Sequence, residues 1–494
     1  MTVSARTYRW LLVFACLLFV AQALPLLSYR WVEDESWYSS TGYTLMHEGV
    51  VRNAVFPPTD LESVADTRPL AMPATLALTM KSLGVDSAST RVPGFLACLA
   101  AIPLVFWLGC LCGSREAGIV AALLLSVDNS LFLAARIVRP EAFVTFFGLL
   151  AVTLYFLSRR RDSVAIAVLS GLSVGVALNY HVNGLAVAAS LGLLLIGEFG
   201  FSIWRQKRAW AVATGIMATM VPFFLWLQSD PARLTSFHYL YGRGNALTAA
   251  DVFRWEMLRY TDYLGMSNAR LSLIPYPIPL RLHVVLLFLA CLGLLAWKRR
   301  VMFWSILALI VPSLLLWTRE VNPSARFFAI LAPYLVLAVG LAFTLLPHGP
   351  WRRVLAAWCL LVFVSQAAGN ALILRQSRNA DYAGVSRKLR SLIPSDSRVY
   401  GAITFFLALH DRTYYAWNHT PFGYAINDLH VNYLILNDRV LVHGSGFGRD
   451  DWREVREDAA AFVPNHADLV GRVQDPFYGD LEVYRVRPAQ TSPN

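Results

Sequence analysis

The apolar run from Leu11 to Leu27, LLVFACLLFVAQALPLL, is followed within a few residues by the acidic stretch Glu33-Asp34-Glu35-Ser36-Trp37-Tyr38. Carboxylates just beyond a membrane span are costly to hold near lipid, so they usually have a partner or a function. A second acid, Glu141, follows Arg139-Pro140 at the mouth of a later apolar segment. If both mouths open on one side of the membrane, the chain places carboxylates around one shared cavity.

The composition predicts a polytopic membrane protein. Of the 494 residues, 56% are hydrophobic and 15% are charged, whereas soluble domains carry about 25% charged residues. A helix needs roughly 20 apolar residues to cross the bilayer, and the sequence contains about eleven such segments. The predicted spans lie near 10–29, 92–112, 116–135, 142–158, 163–179, 184–198, 209–227, 281–297, 301–317, 327–346 and 354–373.

Two apolar segments have alternative interpretations. Ala21-Gln22-Ala23 resembles a signal-peptide cleavage site, but the apolar residues continue to Leu27, which favours a retained anchor. The segment from Leu70 to Leu83 is short and contains Pro73 and Lys81, so we interpret it as an amphipathic helix in the membrane interface.

The basic residues predict the topology. With the segment 70–83 left out of the spans, the short basic clusters all fall on the cytoplasmic side, where positive charge is normally retained. This arrangement also explains the net charge of +11, and no nucleic-acid-binding module is predicted. The clusters are Arg6 and Arg9, Arg115, Arg159–Arg161, Arg205 to Arg208, Lys298–Arg300, and Arg352 with Arg353. Asp34, Glu35 and Glu141 then face the opposite, outer compartment.

The composition changes near residue 374, where long apolar runs end and charge density rises. Segments beginning at Arg398, Val431 and Leu481 have strand character, and 382–392 and 452–462 have helical character. The predicted fold class is therefore an all-α polytopic membrane domain, residues 1–373, with interfacial helices in its first outer loop. A small C-terminal α/β domain, residues 374–494, lies on the extracytoplasmic side.

The acids at the outer mouths are the candidate catalytic groups. A carboxylate at a helix N-terminus stays ionised, and Asp34 or Glu35 can then accept a proton from an attacking hydroxyl. Helix capping with a salt bridge is the alternative for this pair. Glu141 is a second acid that would orient a substrate or a metal, or it pairs with a neighbouring arginine such as Arg139.

Several basic and polar residues are candidates for binding an anionic lipid head group. Guanidinium groups suit phosphate, and Arg68, Arg139 and Arg326 are predicted near the lipid–water boundary. Snorkelling toward water is the alternative role for such arginines. His181 and Asn183 lie in a turn at a helix mouth, where they would contact a sugar or a leaving phosphate, or form an ordinary polar turn.

These motifs resemble the GT-C superfamily of integral-membrane glycosyltransferases, and most closely its aminoarabinose transferase, protein O-mannosyltransferase and Rgt-like branch. The run Asp34-Glu35-Ser36-Trp37-Tyr38 resembles the family's Asp-Glu-x-x-Tyr, and Arg68-Pro69-Leu70 resembles its basic-Pro-Pro-Leu. Arg91-Val-Pro-Gly, the arginine-to-acid run ending at Glu141, and Arg326-Phe327 ahead of Pro333 follow in the family's order. The chain departs from the family pattern at Leu70, Glu141 and the His181–Asn183 turn.

The resemblance implies an enzyme that transfers a hexose or pentose from a polyprenyl-phosphate donor to a lipid, glycan or protein acceptor, with inversion. It implies Asp34 as the base, Glu141 as the second acid, Tyr38 as a substrate-binding residue, and Arg68 and Arg326 as phosphate contacts. It further implies a multi-pass protein of the bacterial inner membrane with its active site and C-terminal domain outside. No cofactor is predicted with certainty, although a divalent metal remains an option. A transporter or lipid-linked sugar flippase, or a non-catalytic assembly protein, are the alternatives.

Overall fold

The computed structural model describes residues 4–31, 33–59, 69–242, 248, 250–254, 256–257, 281–317, 327–377, 381–417, 419–437 and 449–488. Within these ranges a few side chains, those of Glu33 and Asp34 among them, lie outside the described part.

The predicted apolar segments are helices throughout. They are α1 (Ala5–Ala23), α4 (Ser87–Cys112), α5 (Arg115–Val127), α6 (Asn129–Ala135), α7 (Glu141–Arg161), α8 (Val164–Tyr180), α9 (Gly184–Phe199), α10 (Lys207–Gln228), α12 (Leu282–Lys298), α13 (Arg300–Trp317), α14 (Phe328–Leu345) and α15 (Pro350–Ser377). The helix α11 (Pro231–Gly242) follows α10 outside the predicted spans. Among the described residues, seven helices are long and apolar enough to cross a membrane, or eight if the bent pair α5–α6 is one span. The chain is therefore a multi-pass helical membrane protein, and the predicted total of eleven spans stays a prediction.

The bend between α5 and α6 has a local cause in the sequence. The two helices meet at an angle of 59°. Between them, Asp128 adopts extended backbone angles and its carboxylate accepts hydrogen bonds from the N–H groups of Ser130 and Leu131, at 2.8 and 3.0 Å. An N-cap in the middle of an apolar run ends one helix and starts another, so α6 leaves the axis of α5.

Two helices outside the spans belong to the first predicted outer loop. α2 (Glu33–Glu48) begins at the acidic stretch, and α3 (Ala71–Leu83) packs against it. The 13 residues of α3 extend about 20 Å, which is shorter than the roughly 30 Å hydrocarbon core. α3 is thus too short to span, as predicted, and its position in the membrane interface stays a prediction.

The C-terminal region folds around a mixed sheet. Within the described residues the strand order is β2-β1-β3-β5-β4. The strands β2, β1 and β3 are parallel to one another, and β5 is antiparallel to both of its neighbours, β3 and β4. The strands are β1 (Arg398–Gly401), β2 (Thr413–Ala416), β3 (Tyr433–Asn437), β4 (Ala467–Asp475) and β5 (Gly479–Val486), and the helices are α16 (Tyr382–Leu392), α17 (Phe422–Asn427) and α18 (Arg449–His466). The predicted C-terminal α/β fold is confirmed.

The C-terminal region is fastened to the first loop. Tyr478 accepts a hydrogen bond from the N–H of Trp31 at 2.9 Å and donates one to the Trp31 carbonyl at 2.7 Å. The N–H of Ala416 donates to the carbonyl of Val55, and the N–H of Tyr382 to that of Ser28. These buried contacts join the segments 1–373 and 374–494. The division of the chain into these two domains stays a prediction.

Close packing of α8 against α10 yields a first testable prediction. A methyl group added at Gly171 would overlap the carbonyl oxygen of Val212 on α10. Small residues let membrane helices approach closely, and overpacking costs about 1–3 kcal/mol. We expect Gly171→Ala to lower the thermal stability of the purified protein.

Gly192 on α9 provides the matched control, because a methyl group there meets nothing within 4 Å. We expect Gly192→Ala to leave stability unchanged or to raise it slightly, since alanine favours a helix by about 1 kcal/mol over glycine. Equal melting temperatures for the two variants would contradict the packing argument.

Candidate active site

A buried ion pair joins the start of α2 to α4. Arg91 Nε donates to Glu35 Oε1 at 2.7 Å and Arg91 Nη2 donates to Oε2 at 2.6 Å, and both side chains are at most 1% exposed. The local sequence favours this ion pair at both partners. Glu35 lies in the first turn of α2, where the helix dipole favours an acid, and Asp86 caps α4 so that Arg91 falls within its first two turns.

Arg91 also fixes the segment that leads out of the first span. Its two terminal nitrogens donate to the carbonyl groups of Leu27, Tyr29 and Arg30, and the guanidinium carbon lies 5.0 Å from the centroid of the Trp31 ring. A planar guanidinium with five donors suits this arrangement, and lysine would leave most of these acceptors unpaired. Arg91 therefore holds the backbone that leads from the first span to α2.

The ion pair reaches the loop that holds the second predicted acid. Glu35 Oε1 accepts a hydrogen bond from the N–H of Val138 at 2.8 Å. In the same loop Arg139 pairs with Glu141 at 3.2 Å, and the Arg139 guanidinium carbon lies 5.9 Å from the centroid of the Tyr38 ring. Glu35, Tyr38, Arg139 and Glu141 thus gather at one end of the helix bundle, which we call the Glu35 end.

Two of these acids have partners that suit a positioning role. Glu35 is fully buried against Arg91, and Glu141 is 2% exposed and paired with Arg139. Pairing with a neighbouring arginine was the alternative for Glu141, and an ion pair was the alternative for the Asp34-Glu35 dipeptide. The catalytic assignments of Glu35 and Glu141 stay predictions.

The predicted turn after α8 lies beside this site. The ring of Tyr180 stacks on Phe143 at 4.2 Å between centroids, two residues beyond Glu141, and its hydroxyl is 2.7 Å from that of Thr75 on α3. His181 Nδ1 accepts a hydrogen bond from the N–H of Asn183 at 3.1 Å.

Asn183 has a buried amide without a protein partner in the described part of the chain. The residue is 1% exposed, and neither Oδ1 nor Nδ2 makes a hydrogen bond there. Leaving a buried polar group unpaired costs about 1–3 kcal/mol, so such a group in a native protein calls for an explanation. Binding of a polar ligand group is one.

Three predicted site residues are not covered. The side chain of Asp34 and the whole of Arg68 and Arg326 lie outside the described residues. α2 includes the backbone of Asp34, directly before Glu35, so the residue starts at the Glu35 end of the bundle. Its role as a base, and the phosphate roles of Arg68 and Arg326, stay predictions.

Arg281 is a buried cation that was not among the predicted site residues. It is 2% exposed, and it donates to Ser130 Oγ at 3.0 Å and to Asn129 Oδ1. Asn129 in turn donates to Asn370, whose amide donates to Gln22 at 2.7 Å. The signal in the sequence was an arginine directly before the apolar segment that became α12.

An apolar cavity of about 410 Å³ opens between the helices below this network. Aliphatic and aromatic side chains make up most of its wall, and Asp128 and Gln366 supply the polar ones. The lining residues come from α12, α13, α14, α15 and the α5–α6 bend. The helix α6 follows Asp128 and is seven residues, or about 10 Å, long. It connects this polar residue of the cavity wall to the loop containing Arg139 and Glu141.

The residues present do not form a recognisable metal site. Among the described residues, no three histidine, cysteine or acidic side chains lie together as metal ligands.

Comparisons with known proteins agree with the predicted resemblance at the level of fold. Residues 67–226 match the dolichyl-phosphate-mannose-protein mannosyltransferase family. The apo crystal structure of ArnT from Cupriavidus metallidurans superposes with a TM-score of 0.69 at 14% identity, covering 99% of this chain and 100% of that one. The same protein bound to undecaprenyl phosphate superposes with a TM-score of 0.67 at 13% identity, over 99% and 100% of the two chains.

The oligosaccharyltransferase of Archaeoglobus fulgidus in complex with zinc and sulfate is a more distant structural relative. It superposes with a TM-score of 0.57 at 12% identity, covering 96% of this chain and 72% of that one. No curated protein sequence matches the chain. The chain therefore shares the fold of ArnT, a fold of the kind that the order of motifs predicted.

The buried ion pair leads to a second prediction. Removing one partner of a buried pair leaves an uncompensated charge and costs about 3–5 kcal/mol. We expect Arg91→Met and Glu35→Gln each to lower the free energy of unfolding by this amount, measured on the full-length protein in detergent.

Glu48 and Arg52 form the matched control pair. They also make a two-point contact, at 2.6 and 2.8 Å, but their side chains are 42% and 33% exposed. An exposed pair contributes about 0–1 kcal/mol, so Arg52→Met is expected to change stability little. A loss in Arg91→Met no larger than in Arg52→Met would refute the structural role given to the buried pair.

Proposed function

We propose that this chain is a glycosyltransferase that moves a sugar from a polyprenyl-phosphate donor to a hydroxyl or similar acceptor on a lipid, glycan or protein, with inversion at the anomeric carbon. The observation that carries the proposal is the Glu35–Arg91 pair and its bond to Val138. It gathers the start of α2 and the Arg139–Glu141 loop at one end of a membrane bundle.

The apolar cavity supports a donor with a hydrocarbon tail. A polyprenyl chain would bury its tail between the spans and hold its phosphate near the polar residues above. Arg139, Arg68 and Arg326 are the proposed phosphate contacts, since guanidinium groups bind phosphate oxygens in pairs of hydrogen bonds. The fold shared with ArnT, which was crystallised with undecaprenyl phosphate, is in keeping with this donor class.

The proposed reaction is a single displacement. The acceptor hydroxyl attacks the anomeric carbon while the bond from that carbon to the phosphate oxygen breaks. The hydroxyl proton passes to the carboxylate of Asp34, and the electron pair leaves on polyprenyl phosphate, whose growing charge the arginines stabilise. Glu35 holds the helix that carries Asp34, and the buried amide of Asn183 binds a donor hydroxyl or phosphate oxygen.

The proposal includes the side of the membrane on which the site lies. With the basic clusters on the cytoplasmic side, the Glu35 end of the bundle and the C-terminal sheet lie on the extracytoplasmic side of a bacterial inner membrane. The candidate catalytic acids, Asp34, Glu35 and Glu141, start at one end of the bundle, which favours a transferase over an ion-coupled transporter.

Asp34→Asn tests the base. A placed carboxylate contributes roughly 10²–10⁴ in rate, so we expect transfer to fall by that factor while folding and donor binding are retained. Glu33→Gln, a neutralisation one residue earlier, is the matched control and should retain most activity. Near-normal turnover in Asp34→Asn would remove this residue from the mechanism.

Asn183→Leu tests the donor contact. Replacing an unpaired buried amide by an apolar side chain of similar size should leave stability equal or higher. Affinity for undecaprenyl phosphate or its sugar conjugate, titrated in nanodiscs, is expected to fall at least about tenfold, or 1.4 kcal/mol.

Asn179→Leu is the comparison for Asn183→Leu, because the Asn179 amide does have partners. It donates to the carbonyl groups of Gly175 and Thr219 at 2.9 and 3.3 Å. This variant should lose stability instead. Unchanged donor affinity in Asn183→Leu would show that the amide does not touch the donor.

A further inference from the structure

A second cavity lies where the far end of α2 meets the C-terminal region. Its volume is about 560 Å³, within the usual range of 300–1,000 Å³ for ligand pockets. We call it the interface cleft, and its walls include Tyr43, Glu48 and Arg52 from the first loop and Asp411, Arg412 and Tyr415 from the C-terminal region.

The charged groups that line the cleft form ion pairs on both walls. Arg52 holds Glu48 at 2.6 Å on one wall, and Arg412 holds Asp411 at 2.6 Å on the other. The Arg412 side chain is 6% exposed and also donates to the carbonyl of Ile393 at 2.7 Å, so it is rigid. The lining itself holds two carboxylates and two guanidinium groups, and Arg390, outside the lining, also contacts Asp411 at 3.2 Å. The groups that face the cleft therefore have no net charge, which does not favour a phosphate or another strongly charged ligand.

The histidine of the cleft does not alter this balance at neutral pH. Burial is the main cause that lowers the pKa of His410, and the charge of Arg390 adds to it. The Asp411 carboxylate and the backbone act in the opposite direction but do not outweigh it. His410 is therefore neutral at pH 7 and serves as a hydrogen-bonding group.

The Tyr43 ring of the first-loop wall contacts the wall formed by the C-terminal region. The Tyr43 ring lies 4.4 Å from that of His47 and 5.3 Å from that of His410, measured between centroids. Burial, and then the carboxylates of Asp411 and Glu48, raise the pKa of Tyr43, so its hydroxyl stays protonated between the two acids. The cleft thus combines ring faces for C–H groups with paired donors and acceptors for hydroxyl groups.

We propose that the interface cleft binds a neutral glycan, the part of a saccharide acceptor that lies beyond the reacting hydroxyl. This inference rests on the proposed glycosyltransferase function, since it names the acceptor class. α2 connects the two places, because Glu35 lies in its first turn and Glu48 ends it, 13 residues or roughly 20 Å apart along the axis. An oligosaccharide several sugars long would extend from Asp34 to the cleft along this helix.

A printed glycan array tests the proposal with the full-length protein in detergent. The array presents neutral oligosaccharides of several sugars beside sulfated and sialylated ones. We expect neutral oligosaccharides to be retained by the wild type. Tyr43→Ala and Asp411→Asn should each lower apparent affinity at least tenfold, and Tyr43→Phe, which keeps the ring, should lose less than Tyr43→Ala.

Two variants outside the cleft serve as matched controls. Tyr424→Ala removes a half-buried tyrosine of the C-terminal region, and Asp396→Asn neutralises an exposed aspartate there. Both should bind as the wild type does. The proposal is overturned if no neutral oligosaccharide is retained, if only charged ones are, or if the cleft variants bind as well as these controls.

Binding of undecaprenyl phosphate to the same preparations separates this inference from the proposed function. The cleft variants should bind that lipid as the wild type does. Lipid binding without glycan binding rejects the cleft alone, whereas glycan binding without lipid binding rejects the polyprenyl-phosphate donor and keeps the cleft.

Discussion

The organisation of this protein above its membrane helices depends on the buried contact between Glu35 and Arg91. Removing two charges from water costs several kcal/mol for each ion, so the pair is stable only because every oxygen and most donors are used. The carboxylate also accepts a hydrogen bond from the N–H of Val138, and the guanidinium also donates to the carbonyl groups of Leu27, Tyr29 and Arg30. One charge pair thereby sets the positions of the first span's exit, α2, α4 and the Arg139–Glu141 loop.

The same need for partners explains why several charged residues near the bilayer are bound to other protein groups. Glu141, Arg91 and Arg281 are each at most 2% exposed and bound to other protein groups. Asn183 is different, because its amide is equally buried and has no partner in the described chain. Burial alone therefore does not single out Asn183, and its proposed contact with the donor rests on an amide whose oxygen and nitrogen both lack a partner in the described chain.

Hydropathy and motif order predicted the membrane class, the positions of the apolar helices and the C-terminal α/β region, and they predicted a helix start at the Asp34-Glu35 pair, next to the observed start at Glu33. They did not predict that Glu35 meets Arg91, because the partners are 56 residues apart and no local pattern reports which acid meets which base. β4 was missed because it is an edge strand with mostly exposed residues, which removes the usual apolar alternation. The bend at Asp128 was missed because the composition of a span does not reveal an internal cap.

The bond between Tyr478 and Trp31 joins residues 447 positions apart, almost the full length of the chain. Contacts of such separation form late, since the ribosome must complete nearly the whole polypeptide before the second partner exists. Until the C-terminal region is made, the first loop has only the contacts with earlier residues such as Arg91. Docking of the β4–β5 turn on Trp31 is therefore a late step in the folding of this loop.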